Sequence, residues 1–339
     1  MTRLAAFQPG KADSTRRQVN RAGPFQQAAL QLARVKELAK KEGAIAILSG
    51  SSRGHDGTIF VQGGGAYAVS SPENFLDVVL AFEDYMTIYR LVKAGNAVNL
   101  DVDVKTKFTT DSTGYNVIAE IKGTDKKLKD ELVMIGAHLD SWQGSMGATD
   151  NAAGCAVMME AMRILKSLGV KPRRTIRIAL WSAEEEGLIG SHNYVRNHFT
   201  DTATRKYNPA GDKLAAYFNL DNGTGKIRGV YTQGNEAVKP IFTQWFQPFS
   251  DLDASTITLQ NTGGTDHLSF DAVGLPGFQF IQDAIEYSTR THHTNMDSYD
   301  HLQSADLMQA ATIVASFVYN DAMREDKLPR KAFVATAVR

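Results

Sequence analysis

The stretch of sequence that decides the fold reads TIRIALW at positions 175–181 and continues directly as SAEEEG at positions 182–187. Its first part is apolar and rich in β-branched residues, which is typical of a strand that is buried on both faces. Such strands belong to parallel sheets covered by helices on each side. The acidic second part lies where the buried strand ends, and Gly187 favours a turn there.

Predicted strands and helices alternate around this stretch. We predict further strands at residues 115–121, 132–137, 214–220 and 278–281, and helices at 151–168, 188–198, 240–249 and 302–323. This alternation predicts an α/β fold with a mostly parallel central sheet flanked by helices. Ligand sites in such sheets lie at the carboxyl ends of the strands.

The first 108 residues carry a weaker pattern. We predict helices at 26–41 and 75–94, strands at 44–48 and 98–108, and a glycine-rich turn region at 50–65. Residues 1–24 are polar, and no apolar segment of a signal peptide is visible among them.

The composition excludes several classes of protein. Basic and acidic residues both number 37, so the formal net charge is zero and neither nucleic acid nor an anionic membrane is indicated as a partner. No run approaches the roughly 18 apolar residues of a membrane span. The one cysteine, Cys155, excludes an intrachain disulfide and is interpreted as a buried packing residue.

Residues of the types that bind metals follow the predicted strands. They are His138 and Asp140 after 132–137, Asp150 in a loop of small residues, Glu184 and Glu185 after 175–181, Asp221 after 214–220, and His292 and His293 after 278–281. Because parallel strands end at one edge of their sheet, we expect these side chains to converge.

Two imidazoles and three carboxylates suit a pair of Zn²⁺ ions, with Co²⁺ or Mn²⁺ as substitutes. One shared carboxylate would place two metals about 3.5–4 Å apart, with room for a bridging water that they convert to a nucleophile. The tandem Glu184-Glu185 fits a division of labour in which one carboxylate binds metal and its neighbour takes the proton of that water. Asp140, two residues after His138, is placed to orient that imidazole.

Each motif also has a structural interpretation. An acidic triplet is usually a solvated loop or helix start, and a pair of histidines usually lies at the surface or is satisfied in the core. Their joint position after successive buried strands favours the functional interpretation.

In combination, these motifs resemble the M28 family of co-catalytic zinc peptidases, most closely its carboxypeptidase Q-like members. The segments that carry the resemblance, which extends over roughly residues 25–325, are HLD at 138–140, ATDN at 148–151, WSAEEEG at 181–187, NLD at 219–221 and HTNMD at 293–297.

The resemblance implies a role for each site residue. Asp150 would bridge the metals, His138 and Asp221 would hold one, Glu185 and His293 would hold the other, and Glu184 would be the general base. It also implies a cis peptide at Asp150-Asn151, an oxyanion-stabilising position for His292, and a substrate-site role for Asp266 in the glycine-rich segment GGTDH at 263–267.

The resemblance further implies a division of the chain. Residues 1–108 would be part of a protease-associated (PA) insert domain, 109–325 the catalytic domain and 326–339 a tail. Met1 would then lie inside the inserted domain. Because relatives carry an export signal and often dimerise, a secreted or periplasmic location and a homodimer are expected.

The predicted function is hydrolysis of dipeptides or short peptides with a free terminus. One group of alternatives keeps the metal chemistry, namely a broader aminopeptidase or a zinc-dependent cyclase acting on N-terminal glutamine. Another group does not, namely a non-catalytic receptor or binding protein, or an inactive fragment. The complete set of ligands and the presence of Glu184 count against the cyclase and the binding protein.

Overall fold

The computed structural model describes residues 24–61, 71, 74–105, 111, 113–201 and 206–331. Its strands are β1 (Ile47–Gly50), β2 (Asp77–Leu80), β3 (Val117–Ile121), β4 (Leu132–His138), β5 (Thr175–Trp181), β6 (Thr200–Asp201), β7 (Lys206–Tyr207), β8 (Leu214–Asn219), β9 (Ile227–Tyr231), β10 (Thr256–Thr258) and β11 (Gly277–Gln282). Its α-helices are α1 (Pro24–Lys41), α2 (Phe82–Lys93), α3 (Ala153–Ser167), α4 (Ile189–His198), α5 (Pro209–Lys213), α6 (Lys239–Phe246), α7 (His267–Asp271) and α8 (Ser304–Met323).

The central sheet has seven strands in the order β10-β9-β11-β8-β4-β5-β3. Its middle strands β11, β8, β4 and β5 run parallel, whereas β3 is antiparallel to β5 and β9 is antiparallel to β11. The predicted α/β fold with a mostly parallel sheet is confirmed. The neighbours β8, β4 and β5 end side by side, which fixes where the residues that follow them lie.

Two hydrophobic layers cover the sheet. Every residue of β4 is buried, and its alternate side chains enter different layers: Val133 and Ile135 pack with α3, α6 and α8, whereas Met134 packs with α4 and α7. Burial on both faces explains the continuous apolar character of the central strands.

The N-terminal predictions were only partly correct. The helix predicted at 75–94 is wrong at its start, because residues 77–80 form β2 and the helix begins at Phe82. Residues 98–105 of the strand predicted at 98–108 are irregular, and 106–108 lie outside the described residues. The residues of β2 are half-buried, so their apolar side chains do not distinguish a strand from a helix.

The chain divides into two compact units. The smaller comprises Met1–Leu48 and Gly65–Val78, and within it Lys36 pairs with Asp77 at 2.7 Å. The larger comprises Ser49–Gly64 and Val79–Arg339 and contains the seven-stranded sheet. The PA-like assignment of residues 1–108 stays a prediction.

Within the described ranges, none of the helices has the length and apolar character that crossing a membrane requires.

Candidate metal centre and active site

The ends of three neighbouring strands deliver side chains to one place. His138 is the last residue of β4, Glu184 and Glu185 follow β5, and Asp221 follows β8. Asp150 comes from the turn that leads into α3, so that the sheet edge and the start of a helix meet at the site.

Asp150 lies between two pairs of ligand-type side chains. Its Oδ1 is 3.2 Å from Nε2 of His138, which is itself 3.4 Å from Oδ1 of Asp221. Its Oδ2 is 3.2 Å from Nε2 of His293, which is itself 3.0 Å from Oε2 of Glu185. The two oxygens of one carboxylate therefore face two separate imidazole–carboxylate pairs.

Orphaned oxygens show that these residues fit metal ions. Asp150 Oδ2, Glu185 Oε1 and Asp221 Oδ1 are buried and accept no hydrogen bond from the described part of the chain. Buried carboxylate oxygens without partners cost free energy, which a bound cation offsets. Ligand atoms of His138, Asp150 and Asp221 also lie within 4.8 Å of one another, and imidazole with carboxylate is a donor set that suits zinc.

Asp140 organises both sides of the site. Nδ1 of His138 donates to the backbone oxygen of Asp140 at 2.9 Å, which leaves Nε2 free to face Asp150 and Asp221. The Asp140 carboxylate accepts from the backbone N–H of Glu185 at 3.0 Å. The orienting role predicted for Asp140 therefore has a geometric basis, through its main chain as well as its side chain.

Asp297 holds the backbone of the shared residue. Its Oδ1 accepts from Thr149 N at 2.7 Å and its Oδ2 from Asp150 N at 3.0 Å. The peptide between Asp150 and Asn151 is cis, as the resemblance implied. Sequence reasoning gave Asp297 no role, because its hydrogen-bond partners lie 147 and 148 residues earlier in the chain.

Gly154 is needed where α3 approaches the site. A Cβ at this position would lie 2.2 Å from Oδ1 of Asn151 and 2.4 Å from the backbone oxygen of Leu220. The Asn151 side chain donates to that same oxygen at 3.0 Å and accepts from Gly154 N at 3.1 Å. The small residues around Asp150 therefore allow close backbone approach.

Burial and charge shift the pKa values of the site. Burial, helped by the charge of Asp221, raises the pKa of Glu184 to about 10. Although burial acts the other way, the imidazoles of His138 and His293 hold the pKa of Asp150 far below its usual value. Although burial lowers it, the neighbouring carboxylates of Asp150 and Glu185 raise the pKa of His293 to about 9. The raised pKa values of Glu184 and His293 are those expected where carboxylates outnumber cationic groups.

His292 and Asp266 are placed differently. The ring of His292 lies 3.8 Å from that of His293, and its Nε2 is 3.9 Å from Asp150 Oδ2, so it is part of the site. Asp266 is fully buried, and burial raises its pKa to about 7. It acts on Glu184 through its charge and has no exposed surface for a substrate.

Two aromatic residues near His293 and His292 were missed by sequence reasoning. The Trp142 ring lies 5.6 Å from that of His293, and its Nε1 is buried without a hydrogen-bond partner among the described residues. Tyr287 lies 4.7 Å from the ring of His292. Neither residue is of a type that binds zinc, so the spacing of metal-binding motifs in the sequence does not single either one out.

Comparison with known proteins places this site in a family. The family model "Peptidase family M28" matches residues 116–318, which contain all five ligand-type residues and Glu184. The chain belongs to peptidase family M28.

Curated relatives of this M28 protein include two kinds of exopeptidase. Human carboxypeptidase Q is 29% identical over 251 residues, which cover 74% of this chain and 50% of that protein. Aminopeptidase YwaD of Bacillus subtilis is 30% identical over 68% of this chain and 49% of its own length. The chain thus spans about half the length of these curated relatives.

Solved structures agree with the fold. A peptidase M28 precursor from Shewanella amazonensis has a TM-score of 0.73 at 29% identity, covering 90% of this chain and 66% of that one. BSAP, a zinc aminopeptidase from Bacillus subtilis, has a TM-score of 0.58 at 25% identity, covering 86% and 67% respectively.

Proposed function

We propose that this M28 protein is a zinc-dependent exopeptidase that hydrolyses dipeptides or short peptides with a free terminus. The observation that carries the proposal is the position of Asp150, whose two oxygens face two separate imidazole–carboxylate pairs. The names of the relatives, a carboxypeptidase and a zinc aminopeptidase, support exopeptidase chemistry.

Five side chains would hold two zinc ions. His138 and Asp221 face one oxygen of Asp150, and Glu185 and His293 face the other. When bound, such a metal pair lowers the pKa of a coordinated water and polarises the carbonyl of the scissile bond.

Glu184 would carry the proton. It is 7% exposed, and its carboxylate lies within 4.8 Å of ligand atoms of His138 and Glu185, so it reaches the site. We assign it the role of taking a proton from the attacking water and passing it to the leaving amine. Burial raises its pKa, and bound cations would act in the opposite direction, toward the neutral range that suits a base.

Other predicted residues would support this chemistry. His292 borders Asp150 and could donate to the negative charge that develops on the carbonyl oxygen. Asp140 would keep His138 and Glu185 in position. Export and homodimer formation also stay predictions.

A non-catalytic binding protein is the alternative, and Glu184 argues against it. A binding site needs no buried carboxylate beside a complete set of ligands, because an ionisable group at that depth costs free energy. The zinc-dependent cyclase would need one metal, which leaves the second imidazole–carboxylate pair without a purpose.

The test combines metal content with activity in a variant of the base. Glu184→Gln should keep about two zinc ions per chain and lose about 10²- to 10⁴-fold in kcat on a dipeptide such as Leu-Ala. Glu186→Gln, at the exposed position two residues later, is the matched control and should keep both zinc and activity. Zinc-loaded wild-type protein that cleaves no short peptide would refute the proposal, as would a Glu184→Gln variant of undiminished activity.

A further inference from the structure

A row of buried polar side chains crosses the central sheet. Nε1 of Trp181 donates to the hydroxyl of Tyr217 at 2.7 Å, and that hydroxyl donates to Oδ1 of Asn219 at 2.5 Å. Nδ2 of Asn219 donates to Oγ1 of Thr265 and to Oε1 of Gln279, both at 2.8 Å. These five residues, the polar row, are at most 2% exposed, so their hydrogen bonds lie out of contact with solvent.

The strand register places the polar row directly before the candidate metal centre. Asn219 lies opposite Gly136 of β4 and opposite Gln279 of β11. His138 follows Gly136 by two residues and is on the same face of β4. Asp221 follows Asn219 by two residues, just beyond the end of β8. The row therefore supports the strand ends that carry these two ligand-type residues.

Gly136 makes room for the row. A Cβ at this position would lie 2.7 Å from the hydroxyl oxygen of Tyr217, 3.0 Å from Nε1 of Trp181 and 2.4 Å from the backbone oxygen of Ala179. A side chain here would push apart the hydrogen bond between the indole and the hydroxyl. The glycine two residues before His138 thus lets a bond between β5 and β8 pass across β4.

Stability alone does not explain the polar row. It lies in the hydrophobic layer that contains Met134 and Phe270, and the Tyr217 ring stacks on that of Phe270 at 4.2 Å. Phenylalanine at position 217 would keep this stacking without burying a hydroxyl. Nε2 of Gln279 is also buried without a partner among the described residues, which costs free energy. Polar groups retained in a core at such a cost serve to fix one arrangement of it.

We infer that the Tyr217 hydroxyl positions His138 and Asp221 for one of the two metal ions. The inference rests on the proposed zinc-dependent function. The hydroxyl holds the end of β8 to β5 across β4, and zinc accepts imidazole and carboxylate ligands only at about 2.0–2.2 Å, so a small shift of either strand end matters. The other pair is less dependent on the row, because Glu185 lies in the turn after β5 and His293 lies eleven residues beyond β11.

The experiment measures zinc affinity at each metal position in Tyr217→Phe, by competition with a chromophoric chelator. Glu185→Ala is the background that leaves the position of His138, and Asp221→Ala is the background that leaves the position of His293. We expect Tyr217→Phe to weaken zinc binding about 10- to 100-fold in the first background, as when a group that orients a ligand is removed. The loss in the second background should be less than about threefold.

Two controls separate positioning from a general loss of stability. Tyr194→Phe removes a hydroxyl that accepts from Arg177 outside the row, on a ring 5.1 Å from that of Trp181. Phe242→Leu makes space in the opposite hydrophobic layer, and urea unfolding of the zinc-free protein shows how far it and Tyr217→Phe are destabilised. Both controls should keep zinc affinity within about twofold of the wild-type residue in either background.

A second variant, Trp181→Phe, removes the donor to Tyr217 from the other end of the row. It should show the same preferential loss, and it decides the question if Tyr217→Phe does not fold. Unchanged affinity at the His138 position would overturn the inference, and so would an equal loss at both positions or the same loss in Phe242→Leu. A protein that binds zinc but cleaves no peptide sinks the peptidase proposal alone, whereas zinc binding that is insensitive to Tyr217→Phe sinks the positioning role alone.

Discussion

Replacing Asp297 by Asn would disturb the shared ligand without touching it. The two Asp297 oxygens accept from the backbone N–H groups of Thr149 and Asp150, at 2.7 and 3.0 Å. Asparagine offers one acceptor oxygen, and its amide nitrogen would face the other N–H as a second donor. Asp297 is 3% exposed, so water cannot easily replace the lost acceptor.

The size of the effect follows from this loss. A buried donor left without an acceptor costs about 1–3 kcal/mol, so the free energy of unfolding should fall by about 2 kcal/mol. Because Asp150 faces both predicted metal positions, a loosened backbone should also weaken zinc binding by about 10- to 100-fold, as is typical when a group that orients a ligand is removed.

Two assays check this prediction. Urea unfolding of chelator-treated protein gives the free energy of unfolding, and competition with a chromophoric chelator gives the zinc affinity. Asp300→Asn is the matched control, because Asp300 is exposed in the same segment and accepts from the Ser298 hydroxyl at 2.5 Å. If Asp297→Asn leaves both quantities at wild-type values, the positioning argument is wrong.

Two further predictions concern the metal and the core. Glu185→Ala should reduce zinc from about two to about one ion per chain by elemental analysis, because it removes one carboxylate from the pair around His293; unchanged zinc content would contradict the assignment. Asp321 is fully buried, and burial raises its pKa to about 7, above the roughly 3.9 of an unfolded chain. The native state therefore binds this proton more tightly, and stability falls as pH rises through the interval between those values. Asp321→Asn removes this dependence, so its stability relative to wild type should rise by about 2–3 kcal/mol from pH 5 to pH 8, measured by urea unfolding at both pH values. A difference in unfolding free energy between variant and wild type that is the same at both pH values would refute this prediction.

The positions of the ligand-type residues could be predicted because ligand sites lie where the parallel strands end, and each strand end is visible in the local sequence. A buried apolar strand ends within a few residues of a visible boundary, so His138, Glu185 and Asp221 follow from reading where each run stops. The structure brings all three to the edge formed by the ends of β4, β5 and β8. Their roles as ligands remain the proposal that metal analysis tests.

The supporting contacts could not be anticipated, because they join distant parts of the chain through the backbone. Asp297 accepts from amides 147 and 148 residues earlier, and nothing in either stretch encodes that pairing. The contact between Ile59 and Asn295 spans 236 residues. Strands β9 and β10 were missed for a related reason, since their pairing with the sheet depends on neighbours far away in sequence.

The surplus of negative charge is itself an argument for cations in this site. Asp150, Glu184 and Asp221 are at most 7% exposed, and Asp266 is fully buried. The groups that lower the pKa of Asp150 are imidazoles. Burying several carboxylates together costs free energy through desolvation and mutual repulsion, unless positive charge compensates. A purely structural core at this depth would be more stable with apolar side chains, so this composition is better explained by metal binding than by packing.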